Sequence, residues 1–289
     1  MARRELLYLA PALLVLSLFL IVPLLRTVVI SFLDWNLVSP SKAFVGLANY
    51  AAVLGDGSFV PLVRQSAFYI FTALLGNVVV ALLLALLTVR LRGREADVYQ
   101  TILFLPTVVP VSIGALLFVW ILLPAGGPLS AVLALFRVPS PTWLTDPHWA
   151  PWCVAIVSSW KFFGFNYLVL LAGIRAIPRE LTEAAAIDGA SDVTALRRIV
   201  LPLLTPTLLF AVVTTVLTAL ENAFVPVQIL TLGGPSGASN QLIYAIFQDG
   251  FQFFQAGKAS ALSVVTLALF AGFAFWQFRM LERRVVYER

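Results

Sequence analysis

Six long apolar runs decide what this chain can fold into. They fall near residues 6–32, 66–89, 101–123, 152–174, 203–227 and 259–279. Each approaches the ~20 residues that an α-helix needs to cross the hydrocarbon core of a bilayer. Helices are predicted rather than barrel strands, because lipid offers no partner to an unpaired backbone and the period-two alternation of barrel strands is missing. Only 11% of the residues are charged, too few to cover a soluble surface. The predicted fold is all-α: a polytopic membrane protein with six transmembrane helices and both termini on one side. The division predicted along the chain is a first span with its outer loop, 1–60, followed by a five-span core, 61–289.

The arginines orient these spans. Of 19 Lys and Arg, thirteen fall on one face: Arg3, Arg4, Arg90, Arg92, Arg94, Arg175, Arg179, Arg197, Arg198, Arg279, Arg283, Arg284 and Arg289. The other face holds Lys42, Arg64, Arg137 and Lys258. By the positive-inside rule the first face is cytoplasmic, and both termini with it. The net charge of +5 does not point to nucleic acid, since the arginines are spread between apolar runs instead of gathered on one basic surface. Cys153 and His148 are each the sole residue of their type, which excludes an intramolecular disulfide and a Cys/His metal cluster. No metal and no cofactor is expected. The run after Arg3 and Arg4 resembles a signal-peptide core, but it is too long and lacks a clear small-residue cleavage site, so it is expected to remain as the first span.

The connector after the fourth run is unlike the rest. Residues 179–202 mix acids and arginines in an otherwise apolar chain. Pro178 suits a helix start, and Glu180 and Glu183 favour its positive end. Ala184, Ala185 and Ala186 combine high helix propensity with almost no bulk, so another surface can approach closely. Gly189 permits a bend, Ser191 or Asp192 can cap a second helix, and Pro202 opens the next span. Composition leaves two readings open. One is an amphipathic helix resting on lipid headgroups; the other is a docking element for a second protein.

The spacing favours docking. Glu183-Ala184-Ala185, three residues, Gly189, nine residues, Ile199, one residue and Leu201-Pro202 resemble, position by position, the EAA loop of the membrane permeases of binding-protein-dependent ABC importers. FVGLANY (44–50), LTLGGP (230–235), LIYAIFQDGF (242–251) and GKASALSVV (257–265) resemble segments of the first of the two paired permeases in the carbohydrate-type branch. The resemblance implies a type I ABC importer permease fold in a bacterial plasma membrane. It also implies a second, related permease, two ATPase subunits, an extracytoplasmic substrate-binding protein and a small-molecule substrate. The loop would be a coupling helix in a cleft of the ATPase, with Glu183 facing that partner, Ala184 and Ala185 allowing close packing, and Gly189 setting the turn. ATP-driven closure would rock the two permeases around a central site. The chain itself carries no G-x-x-x-x-G-K-[ST], since Gly257-Lys258 is followed by Ala259, and no H-E-x-x-H. Hydrolysis therefore falls to another polypeptide, and this chain is expected not to be an enzyme. A six-span membrane enzyme would need His, Asp or Ser converging at one depth, which the runs do not offer.

Polar residues inside the runs are candidates for a pathway, because a charge at a helix centre costs about 2.5–3.5 kcal/mol on insertion scales. Arg26 lies near an end of its run and is read as snorkelling to the interface. Lys161 sits in SSWKFFGFNY with Ser158, Ser159 and Asn166, while Glu221 and Asn222 lie deep in the fifth run. Interhelical hydrogen bonding is the plain reading of all of these. The resemblance implies more: Ser158, Lys161, Phe162 and Phe165 match the family's pocket positions, as do Val216, Leu220 and Ala223, flanked by Glu221 and Asn222. Few polar residues of the maltose-type pocket are kept. SSWKFFGFNYLVLLAGIRAIP (158–178), LIYAIFQDGF and the tail 276–289 are most similar to glycerol-3-phosphate and glycerophosphodiester importers, with an oligosaccharide importer as the alternative.

Overall fold

The computed structural model describes residues 2–282, with side chains from residue 8 onward apart from 278 and 280–282. Arg283, Arg284 and Arg289, with the end of the 276–289 tail, lie outside the described residues, as do the side chains of Arg3 and Arg4. Five helices are long and apolar enough to cross a membrane: Tyr8–Ile30, Phe59–Thr88, Ala150–Arg175, Asp192–Thr231 and Ala256–Gln277.

The remaining predicted span, over 101–123, is broken. Gly93–Val108 and Val111–Ile121 are long enough only as a pair, and they meet at 97°. The cause is local. A proline disfavours helical backbone in the residue before it, and Val109, ahead of Pro110, is extended at φ −64°, ψ 130°. The last carbonyls of the first half thereby lose their helical partners. The fifth span departs in the opposite sense. Helix runs for 40 residues from Asp192 to Thr231, passing through Pro202, so the predicted second loop helix is the near end of the span itself. A π-helical stretch, Leu196–Val200, precedes Pro202. Such a wide turn takes up the missing N–H of a proline without ending the helix.

The chain divides into two compact units, one holding Met1–Val63 and Leu242–Gln277, the other Arg64–Gln241. In the larger unit the fourth span, Ala150–Arg175, is central, with 56% of its apolar window buried. Its Tyr167, Leu170 and Leu171 close on Val78, Ala81 and Ala85 of the second span and on Leu204 and Ala211 of the fifth. Apolar contact alone does not drive helices together in lipid, so close approach at small residues and interhelical hydrogen bonds carry the packing. Both are present. A Cβ on Gly164 would lie 2.6 Å from Thr107 Oγ1 and 2.8 Å from the Leu103 carbonyl, so the third span crosses the fourth backbone to backbone there. The Thr88 and Tyr167 hydroxyls share a 2.9 Å hydrogen bond, and Asn166 donates to Thr215 Oγ1 at 2.9 Å. Bonds of this kind contribute roughly 0.6 kcal/mol each.

In the smaller unit, two of the sequence segments singled out above meet. Asn49, from FVGLANY, donates to the carbonyls of Ser31 and Leu33, both at 2.9 Å, where the first span gives way to a short strand pair, Leu33–Asp34 with Ala43–Phe44. Gly257, from GKASALSVV, lies against the same Leu33 carbonyl, where a Cβ would collide. The next residue, Lys258, stands between Asp56 at 3.3 Å and Asp249 at 3.8 Å. Burial raises the Asp249 carboxyl above its ordinary range, and the Lys258 ammonium only partly offsets it. Burial also pushes Asp56 up, but the Ser58 hydroxyl and amide together with Lys258 outweigh it and hold Asp56 below its ordinary value. The first span, Tyr8–Ile30, is different: none of its apolar window is buried.

Candidate functional site

The 179–202 connector folds as a helix, a turn and the start of the fifth span. Arg179–Ile187 is helical, opened by Pro178, and Asp188 ends it. Gly189 turns the chain at φ +81°, a conformation in which a Cβ is strained. Ser191 then caps the fifth-span helix, its hydroxyl accepting from the Thr194 amide at 3.3 Å. Glu183, Ala184, Gly189 and Pro202 are exposed, while Ala185, Ile199 and Leu201 are half-buried. In this connector, sequence reasoning missed Ile187, which stands 87% exposed at the end of the helix. Its signal was a large aliphatic residue directly ahead of the polar Asp188-Gly189 turn. Arg90 and Asp192 bridge at 2.8 Å, tying the end of the second span to this connector. The bond to Asp192 raises the Arg90 guanidinium further above its ordinary value. With both side chains largely exposed, the pair contributes about 0–1 kcal/mol. Behind the connector lies a cleft of 1210 Å³, walled by the ends of the second, fourth and fifth spans and by residues 90–100. Glu183 lines it, together with Arg179, Thr182 and Ala186.

The predicted pathway residues divide between the inside of the larger unit and its faces. Lys161 is buried at 8% exposure, and its ammonium donates to the Thr107 carbonyl at 2.6 Å. That carbonyl belongs to the last turn before the break at Pro110, so Lys161 fills a vacancy left by the broken helix. The ammonium also lies 5.3 Å from the centre of the Phe162 ring. The side-chain oxygen of the same threonine, Thr107 Oγ1, lies at the Gly164 crossing and is buried with no hydrogen-bond partner. Thr107 was not legible as a partner from the sequence, because only the 97° break brings its carbonyl into play. Ser158 is buried and donates within its own helix, to the Val154 carbonyl at 2.8 Å. Phe162 is half-buried and Phe165 exposed.

On the fifth span, Val216, Leu220 and Ala223 face inward at 2%, 1% and 1% exposure. The Leu220 carbonyl accepts from Gln241 Nε2 at 3.1 Å. Glu221 is exposed and Asn222 half-buried. No ion pair joins Lys161 to Glu221 among the described residues. Instead Asn222 donates to Thr218 Oγ1 at 3.2 Å, and Thr218 to the Thr214 carbonyl at 2.9 Å. Thr214, Thr218, Glu221 and Asn222 thus form a polar stripe at i, i+4, i+7 and i+8 on a membrane helix. Such a stripe must meet water or another protein chain, not lipid. The two threonines were missed because a hydroxyl that bonds its own helix reads as apolar on a hydropathy scale.

Comparison with known proteins identifies the family. The profile of the family described as binding-protein-dependent transport system inner membrane component matches residues 77–287. The sn-glycerol-3-phosphate transport system permease protein UgpA of Brucella abortus biovar 1 (strain 9-941) is 35% identical over 283 residues, 96% of this chain and 94% of that protein. A probable ABC transporter permease protein of Pyrococcus horikoshii is 33% identical over 284 residues, 96% of each chain. Among solved structures, a bacterial ABC transporter involved in the import of the acidic polysaccharide alginate superposes with a TM-score of 0.84 over 98% of this chain and 96% of that one, at 24% identity. The protein is a permease subunit of an ABC importer, with the type I importer permease fold. It belongs to the family of inner membrane components of binding-protein-dependent transport systems.

Proposed function

We propose that this chain forms half of the translocation pathway for glycerol-3-phosphate or a glycerophosphodiester such as glycerophosphocholine. One observation carries the substrate class: 35% identity, across 96% of the chain, to a glycerol-3-phosphate transport system permease. A second, related permease completes the pathway, two ATPase subunits supply the energy, and an extracytoplasmic binding protein delivers substrate. Both termini and residues 179–202 face the cytoplasm, as the arginine asymmetry indicates. The first span with its outer loop is 1–60, and the translocating core is 61–289. Glu183, Ala184, Ala185 and Gly189 dock on the ATPase, with Ile199, Leu201 and Pro202 leading its movement into the fifth span. Lys161, anchored at Thr107, meets the substrate phosphate with its remaining N–H donors. Ser158, Phe162, Phe165, Leu220 and Ala223 shape the passage, and Glu221 and Asn222 on the polar stripe meet the glycerol or a cationic head.

The complete importer, reconstituted in liposomes with its cognate binding protein, tests this reading. Uptake of glycerol-3-phosphate or glycerophosphocholine, not competed by maltose, is the expected result. A second reading, an oligosaccharide importer, is favoured by the likeness to the alginate importer. Uptake of an oligosaccharide with no uptake of either phosphate ester would establish it instead.

A further inference from the structure

The cleft behind the 179–202 connector has the construction of an amphipathic binding site. Its apolar wall comes from three spans: Leu83, Leu86 and Leu87 of the second, Ile174 of the fourth, and Leu196 and Val200 of the fifth. Leu83 and Leu87 are 55% and 72% exposed, so the wall opens sideways onto the exposed apolar surface of the larger unit. The rim is polar and carries Arg92, Arg175 and Arg179. Arg90 is also on the rim but is bonded to Asp192 at 2.8 Å. Among the described residues the other three guanidiniums enter no ion pair, although Asp97 and Glu183 share the rim with them. Three guanidiniums against two carboxylates leave the unpaired rim net positive. Guanidinium forks also match phosphate oxygens in pairs, which an ammonium does not.

A free anion would use the arginines and leave the leucine wall idle. An extended peptide would need backbone partners that the leucine wall does not supply, and a helical one would leave the guanidiniums without a matching anion. A phospholipid uses both parts, since its phosphodiester lies at the depth where spans end and its acyl chain runs back along them. We propose that this cleft binds an anionic phospholipid, its phosphodiester held by Arg92, Arg175 and Arg179 and one acyl chain lying along Leu83 and Leu87. Because Arg179 opens the connector helix and Glu183 lines the same cleft, a bound lipid would hold that helix against the membrane ends of the second and fourth spans. The inference does not depend on which solute is carried.

The test uses the complete importer purified from vesicles of phosphatidylcholine alone or mixed equally with phosphatidylglycerol. Retained lipid is measured by mass spectrometry, and affinity by titration with a fluorescent phosphatidylglycerol. Preferential retention of phosphatidylglycerol is expected, with affinity about thirtyfold weaker in an Arg92→Gln/Arg175→Gln double variant. Arg137→Gln, outside the cleft, should bind as the unsubstituted protein does. Leu87→Asn alters an exposed position and so spares folding; it should weaken binding severalfold, and it stands in if the double variant does not assemble. Equal retention of both lipids would overturn the proposal, as would displacement of phosphatidylglycerol by inorganic phosphate. Unchanged lipid binding in both variants, with ATPase subunits lost from the arginine variant, would assign the cleft to the ATPase instead.

Discussion

Replacing Lys161 by glutamine separates a substrate ligand from a structural prop. The ammonium is 8% exposed and commits one donor to the Thr107 carbonyl at 2.6 Å. Glutamine keeps a donor for that carbonyl and removes the charge. A phosphate about 4 Å from the ammonium would be attracted by about 4 kcal/mol at an effective dielectric near 20. Desolvation of both ions cancels part of this, so the net loss on removing the charge is about 2 kcal/mol. That is roughly thirtyfold in uptake at low substrate. The assay is entry of labelled glycerol-3-phosphate into proteoliposomes holding the complete importer. The Lys161→Gln complex should assemble at normal yield and take up substrate roughly thirtyfold more slowly. Lys161→Met also strips the Thr107 carbonyl of its partner, a cost of about 1–3 kcal/mol, and should lower the thermal midpoint by several degrees where glutamine does not. Normal uptake in the glutamine variant would refute the phosphate contact. Failure of that variant to assemble would refute it as well, because Lys161 would then do no more than brace the break at Pro110.

Four further outcomes are expected. Glu183→Lys should leave insertion intact but reduce co-purification of the ATPase subunits and uptake; full transport would remove the coupling role. In a Cys153→Ser background, Ile187→Cys and Leu135→Cys, at positions 87% and 81% exposed, should react with impermeant thiol reagent from opposite sides of the membrane; labelling of both from outside would overturn the six-span topology. Gly257→Ala places a Cβ on the Leu33 carbonyl and 2.7 Å from Asn49 Nδ2, an overpacking worth about 1–3 kcal/mol, so an unchanged thermal midpoint would disprove the close approach. The contribution of Asp56, held below its ordinary value, is present above the ordinary carboxylate range and lost as pH falls through its folded pKa. Asp249, raised by burial, works in the opposite sense, its contribution being complete at acid pH and lost as pH rises through its folded value. Asp56→Asn should therefore flatten the loss of thermal stability on acidification, and an unaltered acid limb would show that the Ser58 bonds and the Lys258 bridge to Asp56 contribute nothing.

What was legible in the sequence was whatever depends on neighbours along the chain. Apolar length marks spans because lipid imposes one thickness on every helix, and the spacing from Glu183 to Pro202 fits within one connector. Pro110 was visible too, but hydropathy sums over it and reads 101–123 as one run. Only backbone geometry shows that Val109 turns extended and the helix bends by 97°. Lys161 drew notice as a costly charge, whereas its partner lies 54 residues earlier and is a backbone carbonyl, which has no residue type to signal it. The inward face of Leu220 and Ala223 and the outward face of Glu221 follow from which side of the fifth span packs on the fourth. The meeting of Asn49 and Gly257 at one carbonyl likewise joins segments some two hundred residues apart, so each reads alone as an unexplained motif.

The first span, with none of its apolar window buried by the rest of the chain, bears on how the protein is made. A helix that owes nothing to its own chain's packing takes its neighbours from lipid or from another chain. It also leaves the ribosome well before the fourth span that organises the larger unit. Its arrival can therefore fix the orientation of everything that follows while its own side chains stay uncommitted. Drift in those side chains should be limited by length, apolarity, flanking charge and fit to whatever lies outside this chain, and not by fit to its own later spans, a constraint that the tightly crossed Gly164 segment does carry.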